Sequence, residues 1–210
     1  MTAAQQQQPR VGIVGAGIVG ASLAYAFARR GVAVTVVDEA KPLSAQGATA
    51  STFGWISNQA FFRAKDPVPD DVARAYFDLH RAGLDAWRRW DDEITNGAVG
   101  SGRGGELGVR WTGAVQWAFE NPEEVERLER ELERRLAWGS PTERLDLAGL
   151  RELLPNARVR GADFAFRTPD EATVNPFAAV SALLEAATVA GAVSKAGMTS
   201  TSFIRVTGEK

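Results

Sequence analysis

An α/β fold built on a parallel sheet, with an α+β region inserted into it, is what this 210-residue sequence predicts. Three observations carry the prediction. Two short β-branched runs, Arg10–Val14 and Val32–Asp38, flank a stretch of helix formers. The first run opens into Gly15-Ala16-Gly17-Ile18-Val19-Gly20, and an acid closes the second. From about residue 70 the pattern changes to long charged helices and one period-two strand. Strand, glycine turn, helix, glycine and strand make a Rossmann-like βαβ unit, whose crossover is right-handed.

Met1–Pro9, with its four consecutive Gln, reads as a solvated tail. Arg10–Val14 is a buried strand, Ala21–Arg30 the helix after the glycine turn, and Gly31 its cap. Glu39–Pro69 has few periodic apolar positions and reads mostly as loop. Asp70 and Asp71 open a long helix carrying Val72, Tyr76, Leu79, Gly83, Trp87 and Trp90 at three- and four-residue spacing. Gly97–Gly108 contains six glycines and reads as a flexible loop. Val109–Phe119 alternates strictly, giving one strand whose aromatic face, Trp111, Trp117 and Phe119, reads as core.

Asn121-Pro122-Glu123-Glu124 is a capped helix start, followed by the stripe Val125, Leu128, Leu132 and Leu136. Glu123–Arg127, Glu126–Arg130 and Glu131–Arg135 stand four apart in the favourable order, the expectation being a solvated face. Asp146–Leu154 is a short helix stopped by Pro155, and Asp163–Arg167 a strand. Asn175-Pro176 opens a helix to about Ala190, closed by Gly191. In the Ser/Thr-rich remainder only Ser202–Thr207 reads as β. The expected organisation is a nucleotide-binding region at 10–69, an inserted helix and strand region at 70–164 belonging to a substrate domain, and a return to the first region at 165–210.

Composition narrows the function. With 24 Lys plus Arg against 26 Asp plus Glu, the near-neutral balance argues against a nucleic-acid partner. The absence of Cys removes disulfides, thiol nucleophiles, Cys-ligated zinc and a flavin tethered through sulfur, and a single His makes a His-rich metal site impossible. A bound organic molecule is therefore expected to carry the chemistry. The glycine motif says which kind. Gly15 permits the tight turn off the strand, Gly17 lets a pyrophosphate reach the amides of a helix N-terminus, and Gly20 allows the helix to pack on the strand. Asp38, twenty-three residues after Gly15, can accept hydrogen bonds from ribose hydroxyls and would repel a 2′-phosphate.

Two rival readings of this segment exist. Val11–Ala28 is eighteen residues without a charge, long enough for a marginal membrane span, and Ala24-Tyr25-Ala26 imitates a signal-peptide cleavage site. The glycines at 12, 15, 17 and 20 and the strand that follows at once argue against both. Without a span or an export signal, the expected location is cytoplasmic.

Further along, Val11–Gly20, Val36-Val37-Asp38 and Gly47–Ile56 (GATASTFGWI) are joined by Tyr76–Gly83, Leu150–Pro155 and Glu171–Phe177. Together they resemble the FAD-dependent D-amino-acid/glycine/sarcosine oxidase and dehydrogenase family, from Arg10 to about Gly191. Asn175 stands where the family's G-x-V-D-P element has Asp. The resemblance implies non-covalent FAD, its ADP half on the first βαβ unit and the Gly47–Ile56 loop running beside the diphosphate towards the isoalloxazine. The implied cofactor residues are Gly15, Ala16, Gly17, Ile18, Val19, Gly20, Asp38 and Glu39, with Thr49, Ser51, Thr52 and Gly54 from the second loop. Thr49 takes the place of a hydroxyl residue that meets the phosphates, and Ser51 stands where many relatives carry Arg.

The implied reaction removes hydride from the carbon beside an amine of a small amine or amino acid, giving an imine that water hydrolyses. It needs no side-chain base, and no catalytic residue or metal ligand is assigned. His80 is expected to be a packed or solvated helix residue. Family members are considerably longer, so the resemblance implies that the later strands of the FAD sheet and most of the substrate-binding residues are missing. Ala192–Lys210 fits the family's next strand poorly. A truncated or frameshifted product is expected, or one half of a split flavoprotein with a complementary C-terminal chain. The alternative to an amine-oxidising enzyme is a non-catalytic fragment that serves only as a nucleotide-binding or interaction module.

Overall fold

The computed structural model describes residues 9–40, 47–58, 68–95, 106–159 and 161–197. The chain divides into two compact units. One comprises 1–54, 88–109 and 174–210; the other comprises 55–87 and 110–173. The β-like stretch Ser202–Thr207 and most of the glycine-rich loop 97–108 lie outside the described residues.

The first unit contains β1 (Arg10–Val14), α1 (Ile18–Ala28), β2 (Ala33–Asp38), α5 (Pro176–Val189) and β9 (Val193–Ala196). The strands form a parallel sheet in the order β1-β2-β9, with Ile13 opposite Val36 and Thr35 opposite Val193. α1 begins at Ile18, three residues earlier than the propensity of Ala21–Arg30 predicts, because Gly17 already has the extended backbone of a helix cap. α5 packs against α1, and each presents buried alanines: Ala21, Ala24 and Ala28 on one helix, Ala179, Ala182 and Ala186 on the other. Asn175 caps α5 as its sequence predicts, its side chain accepting from the amides of Phe177 and Ala178 at 3.0 and 3.2 Å. β9 corrects the reading of the tail as a poor fit for the next strand. Its residues are all exposed, so it shows no apolar alternation, and backbone pairing alone joins it to the sheet.

α2 (Asp70–Thr95) starts where Asp70 and Asp71 predict. Its last turns belong to the first unit, where Tyr25 donates to Glu93 at 3.0 Å, Arg29 pairs with Glu93 at 2.7 Å and Trp90 meets the Tyr25 ring edge-on.

The second unit is organised by an antiparallel sheet in the order β5-β7-β6, formed by β5 (Ala114–Phe119), β6 (Glu143–Leu145) and β7 (Ala162–Thr168). Alternation along β7 sends Phe164 and Phe166 to one face, where Leu128 and Leu132 of α3 (Pro122–Ala137) cover them. Ala165 points the other way and joins Leu150 of α4 (Leu147–Leu153), Val159, Val115 and Trp117. Asn121 caps α3 through the amides of Glu123 and Glu124, and Asp146 caps α4 through Gly149. A further small sheet joins β3 (Trp55–Ile56), β8 (Ala172–Val174) and β4 (Val109–Arg110).

Two expectations fail here. The alternating run Val109–Phe119 is not one strand: it breaks between β4 and β5, where Gly113 takes φ +77° and its amide donates to the Glu171 carbonyl at 2.9 Å. Its aromatic face is only partly packed, Phe119 being 39% exposed. Nor is the charged face of α3 wholly solvated. Glu126–Arg130 is the exposed pair expected, but Arg127 pairs with Glu124 and Glu131 instead of Glu123, and Glu131 and Arg135 are buried.

Among the described residues no helix is long and apolar enough to cross a membrane. Burial, with the bond to Glu93, pushes the Tyr25 phenol up to about 12. The proton is held more tightly in the folded chain, so this contribution is complete below the ordinary phenol range near 10 and disappears as pH rises towards 12. Tyrosinate absorbance of the unsubstituted chain minus that of Tyr25→Phe isolates one of only two tyrosines and should show this late titration. A midpoint near 10 would contradict the bond to Glu93.

Candidate functional site

The site begins where β1 ends. Gly15 takes φ +100°, which only glycine adopts readily, and its amide donates to the Val37 carbonyl at 2.8 Å. The next amide, Ala16, donates to Asp38 Oδ2 at 2.6 Å, while Asp38 Oδ1 accepts from Ala40 at 2.9 Å. Asp38 therefore ties the glycine turn to the end of β2. Each carboxylate oxygen keeps further lone-pair capacity for a hydroxyl donor.

α1 then starts without a side-chain cap on Gly17 and without an acid in its first turn. Its N-terminus carries a partial positive charge and amides that seek acceptors. One acceptor comes from far along the chain: Thr49 Oγ1 takes the Ile18 amide at 3.1 Å. The two glycines of this turn are not equivalent. A Cβ on Gly17 would lie 3.0 Å from Thr49 Oγ1, whereas one on Gly20 would lie 1.8 Å from the Gly15 carbonyl oxygen. Gly20 is thus the steric requirement of the turn, and Gly17 keeps the helix end open.

Gly15, Gly17, Ile18, Val19, Gly20, Thr49 and Thr52 line one groove of about 480 Å³, with Ile13, Val14, Leu23 and Ala48. Of the other residues implied for the cofactor, Ala16 is buried and offers its amide to Asp38, which stands half-buried beside the turn. Glu39 is exposed at the tip of β2. Ser51 donates back to the Gly47 carbonyl at 3.3 Å on a single 3-10 turn, Ala48–Ser51, and does not line the groove. Gly54 is buried outside the groove, where φ +68° and a Val174 carbonyl 2.1 Å from any Cβ exclude a side chain. Sequence reasoning missed Val14, Leu23, Ala48 and Ile13. The strand position of Val14 and the helical spacing of Leu23 from Val19 could have placed the first two. Val14 and Val19 are 67% and 71% exposed, an apolar wall beside a positive helix end.

Among the described residues no cluster of His, Cys, Asp or Glu could hold a metal ion. The donor set suits a dinucleotide: amides and a hydroxyl at a helix N-terminus for a diphosphate, a carboxylate at the neighbouring strand end for a ribose, and open apolar surface for planar rings. Fold and site together define a dinucleotide-binding α/β protein.

The chain belongs to the FAD dependent oxidoreductase (DAO) family, which it matches over residues 10–210. It is similar to glycine oxidase from Geobacillus kaustophilus, with TM-score 0.72 and 22% identity over 90% of this chain and 47% of that one. Iminodiacetate oxidase from Chelativorans sp. BNC1 gives 0.67 and 26%, over 89% and 46%. FAD-bound L-alpha-glycerophosphate oxidase from Mycoplasma pneumoniae gives 0.65 and 21%, over 91% and 45%. No curated protein matches. The chain spans just under half the length of these solved structures. FAD is the cofactor that the family membership gives.

Two variants check the geometry. Gly20→Ala should destabilise the fold by about 1–3 kcal/mol through overpacking against a carbonyl that cannot move far, while Gly17→Ala should cost clearly less because Thr49 can rotate. Chemical denaturation of both measures this, and equal losses would contradict the turn described. Asp38→Ala, which removes the acceptor of the Ala16 amide, should weaken FAD binding by about 1–3 kcal/mol in equilibrium titration. Unchanged affinity would exclude Asp38 from the site.

Proposed function

We propose that this chain is the FAD-binding part of an enzyme that oxidises the C–N bond of a small amine or amino acid, of the D-amino acid, glycine or sarcosine type, to an imine. The observation that carries the reading is the N-terminus of α1, which has no cap of its own and only Thr49 Oγ1, 3.1 Å from the Ile18 amide, with Asp38 beside it. The backbone amides of Gly15 to Gly20 and the Thr49 hydroxyl would take the diphosphate, and Asp38, with Glu39 next to it, the ribose. Ser51, Thr52 and Gly54 would shape the loop that follows Thr49. Support for an amine substrate comes from the names of glycine oxidase and iminodiacetate oxidase among the similar structures. Glycerophosphate oxidase shares the fold, so the fold itself leaves the substrate class open.

The chemistry FAD supplies when bound is acceptance of a hydride from the carbon beside the nitrogen. The role left to this chain's residues is to bind and orient. None is assigned as a catalytic acid or base. We assign the first unit, which holds the groove, to cofactor binding and the second unit to the substrate side.

A second reading is a nucleotide-binding module without turnover of its own, favoured by a groove whose lining holds no titratable side chain. One experiment separates the two. Purified chain mixed with FAD should turn yellow and retain flavin absorbance through gel filtration. Anaerobic bleaching by a D-amino acid, glycine or sarcosine supports the enzyme, and stable colour without bleaching supports the module. Colourless protein that takes up no FAD would contradict both.

A further inference from the structure

The second unit contains a buried side chain whose hydrogen-bonding groups the described residues leave unmet. Asn58 is 0% exposed, and neither its Oδ1 nor its Nδ2 has a partner. The segment that carries it is held from within the same unit. Trp55 and Ile56 pair with Thr173 and Ala172. Glu171 Oε2 accepts from the Trp55 indole Nε1–H at 3.1 Å, and Oε1 accepts from the Asn58 backbone amide at 3.0 Å. Oε1 also takes Arg135 Nη1 at 2.8 Å. Glu171 thus serves the main chain of Asn58 and not its carboxamide. His80 adds a backbone bond at the neighbouring Ser57.

A segment pinned at Trp55, Ser57 and Asn58 cannot turn the Asn58 side chain out to solvent without giving up those bonds. A carboxamide buried with both its donor and its acceptor bare is costly, and an apolar side chain of the same outline would avoid that cost. Buried polar groups that the protein does not satisfy are as a rule met by ordered water. The site also limits what else could meet them. Asn58 is fully enclosed, so the bound species is small. It is neutral, because the carboxamide carries no charge and no cluster of His, Cys, Asp or Glu among the described residues could hold a metal ion. It must both accept from an N–H and donate to a carbonyl oxygen. Water meets all three conditions.

We propose that Asn58 is an internal water-binding site of the second unit, its Nδ2 donating to ordered water and its Oδ1 accepting from it. Glu171 secures the main chain of this segment and the water secures the side chain, so the two together complete the hydrogen bonding of residue 58. No residue from 55 to 58 lines the cofactor groove. The proposal therefore stands apart from the FAD reading and does not depend on it.

The test joins a crystal structure of the unsubstituted chain, at a resolution that shows ordered solvent, to thermal unfolding of Asn58→Leu. The crystal structure should show water within about 3.2 Å of Nδ2 or Oδ1. Asn58→Leu keeps the outline of the side chain and removes both polar groups. It should lower the melting temperature by about 2–4 °C, because the water loses its hold and its remaining hydrogen bonds go with it. A bare carboxamide gives the opposite sign, since Leu then removes buried polar atoms that nothing satisfies. A raised or unchanged melting temperature would overturn the proposal. So would a crystal structure in which neither atom has a water at hydrogen-bonding distance. If Asn58→Leu does not fold, the crystal structure decides alone.

Discussion

The approach of α1 to the carbonyl of Gly15 sets the terms for the first unit. A Cβ on Gly20 would stand 1.8 Å from that oxygen, so the helix can begin where it does only because position 20 is bare. The same approach brings the start of the helix against the end of β1, beside a groove walled by Val14 and Val19. Asp38 secures the geometry from the neighbouring strand by holding the Ala16 amide, and the Gly15 amide holds Val37. Steric exclusion at one position and hydrogen bonding at two others leave a positive helix end without a cap of its own. An anionic ligand would supply what the sequence withholds.

Much of this was legible in the sequence because it is local. Glycine spacing, β-branched runs and the Asn-Pro helix starts act within a few residues, and Arg10–Val14, Ala33–Asp38 and the caps Asn121 and Asn175 stand where those signals put them. What the sequence hid depends on distant partners. The Glu131–Arg135 spacing is the same whether the pair faces water or the interior. Its burial is decided by Thr168 and Glu171, 33 and 36 residues further on. The break at Gly113 depends on the Glu171 carbonyl, and β9 on an edge that β2 offers to a strand with no apolar face.

The candidate site shows the same division. The roles of Gly15 and Gly20 follow from backbone sterics and could be read from the motif. Thr49 could be placed beside the glycine turn only by family resemblance, since its bond to Ile18 spans 31 residues. Ser51 illustrates the other side: its short bond to Gly47 turns it into the loop's own 3-10 turn and away from the groove. A hydroxyl in a loop can serve the backbone or a ligand, and composition does not distinguish the two.

His80 adds a last constraint on the second unit. Its ring lies 4.1 Å from that of Tyr76, and burial lowers its pKa, with Arg135 adding to the effect and a backbone bond at Ser57 opposing it. The fold therefore favours the neutral imidazole, a contribution that holds above the ordinary His range and fades as pH falls below it. Ser57 lies between Trp55 and Asn58, the two residues that Glu171 holds. One short segment is thus gripped by a carboxylate and touched by an imidazole, both under the field of one buried guanidinium. Protonating His80 would place a second cation near Arg135 and oppose the arrangement that fixes Trp55. Order in residues 55–58 is in this way an electrostatic property of the second unit, independent of the steric one that shapes the glycine turn.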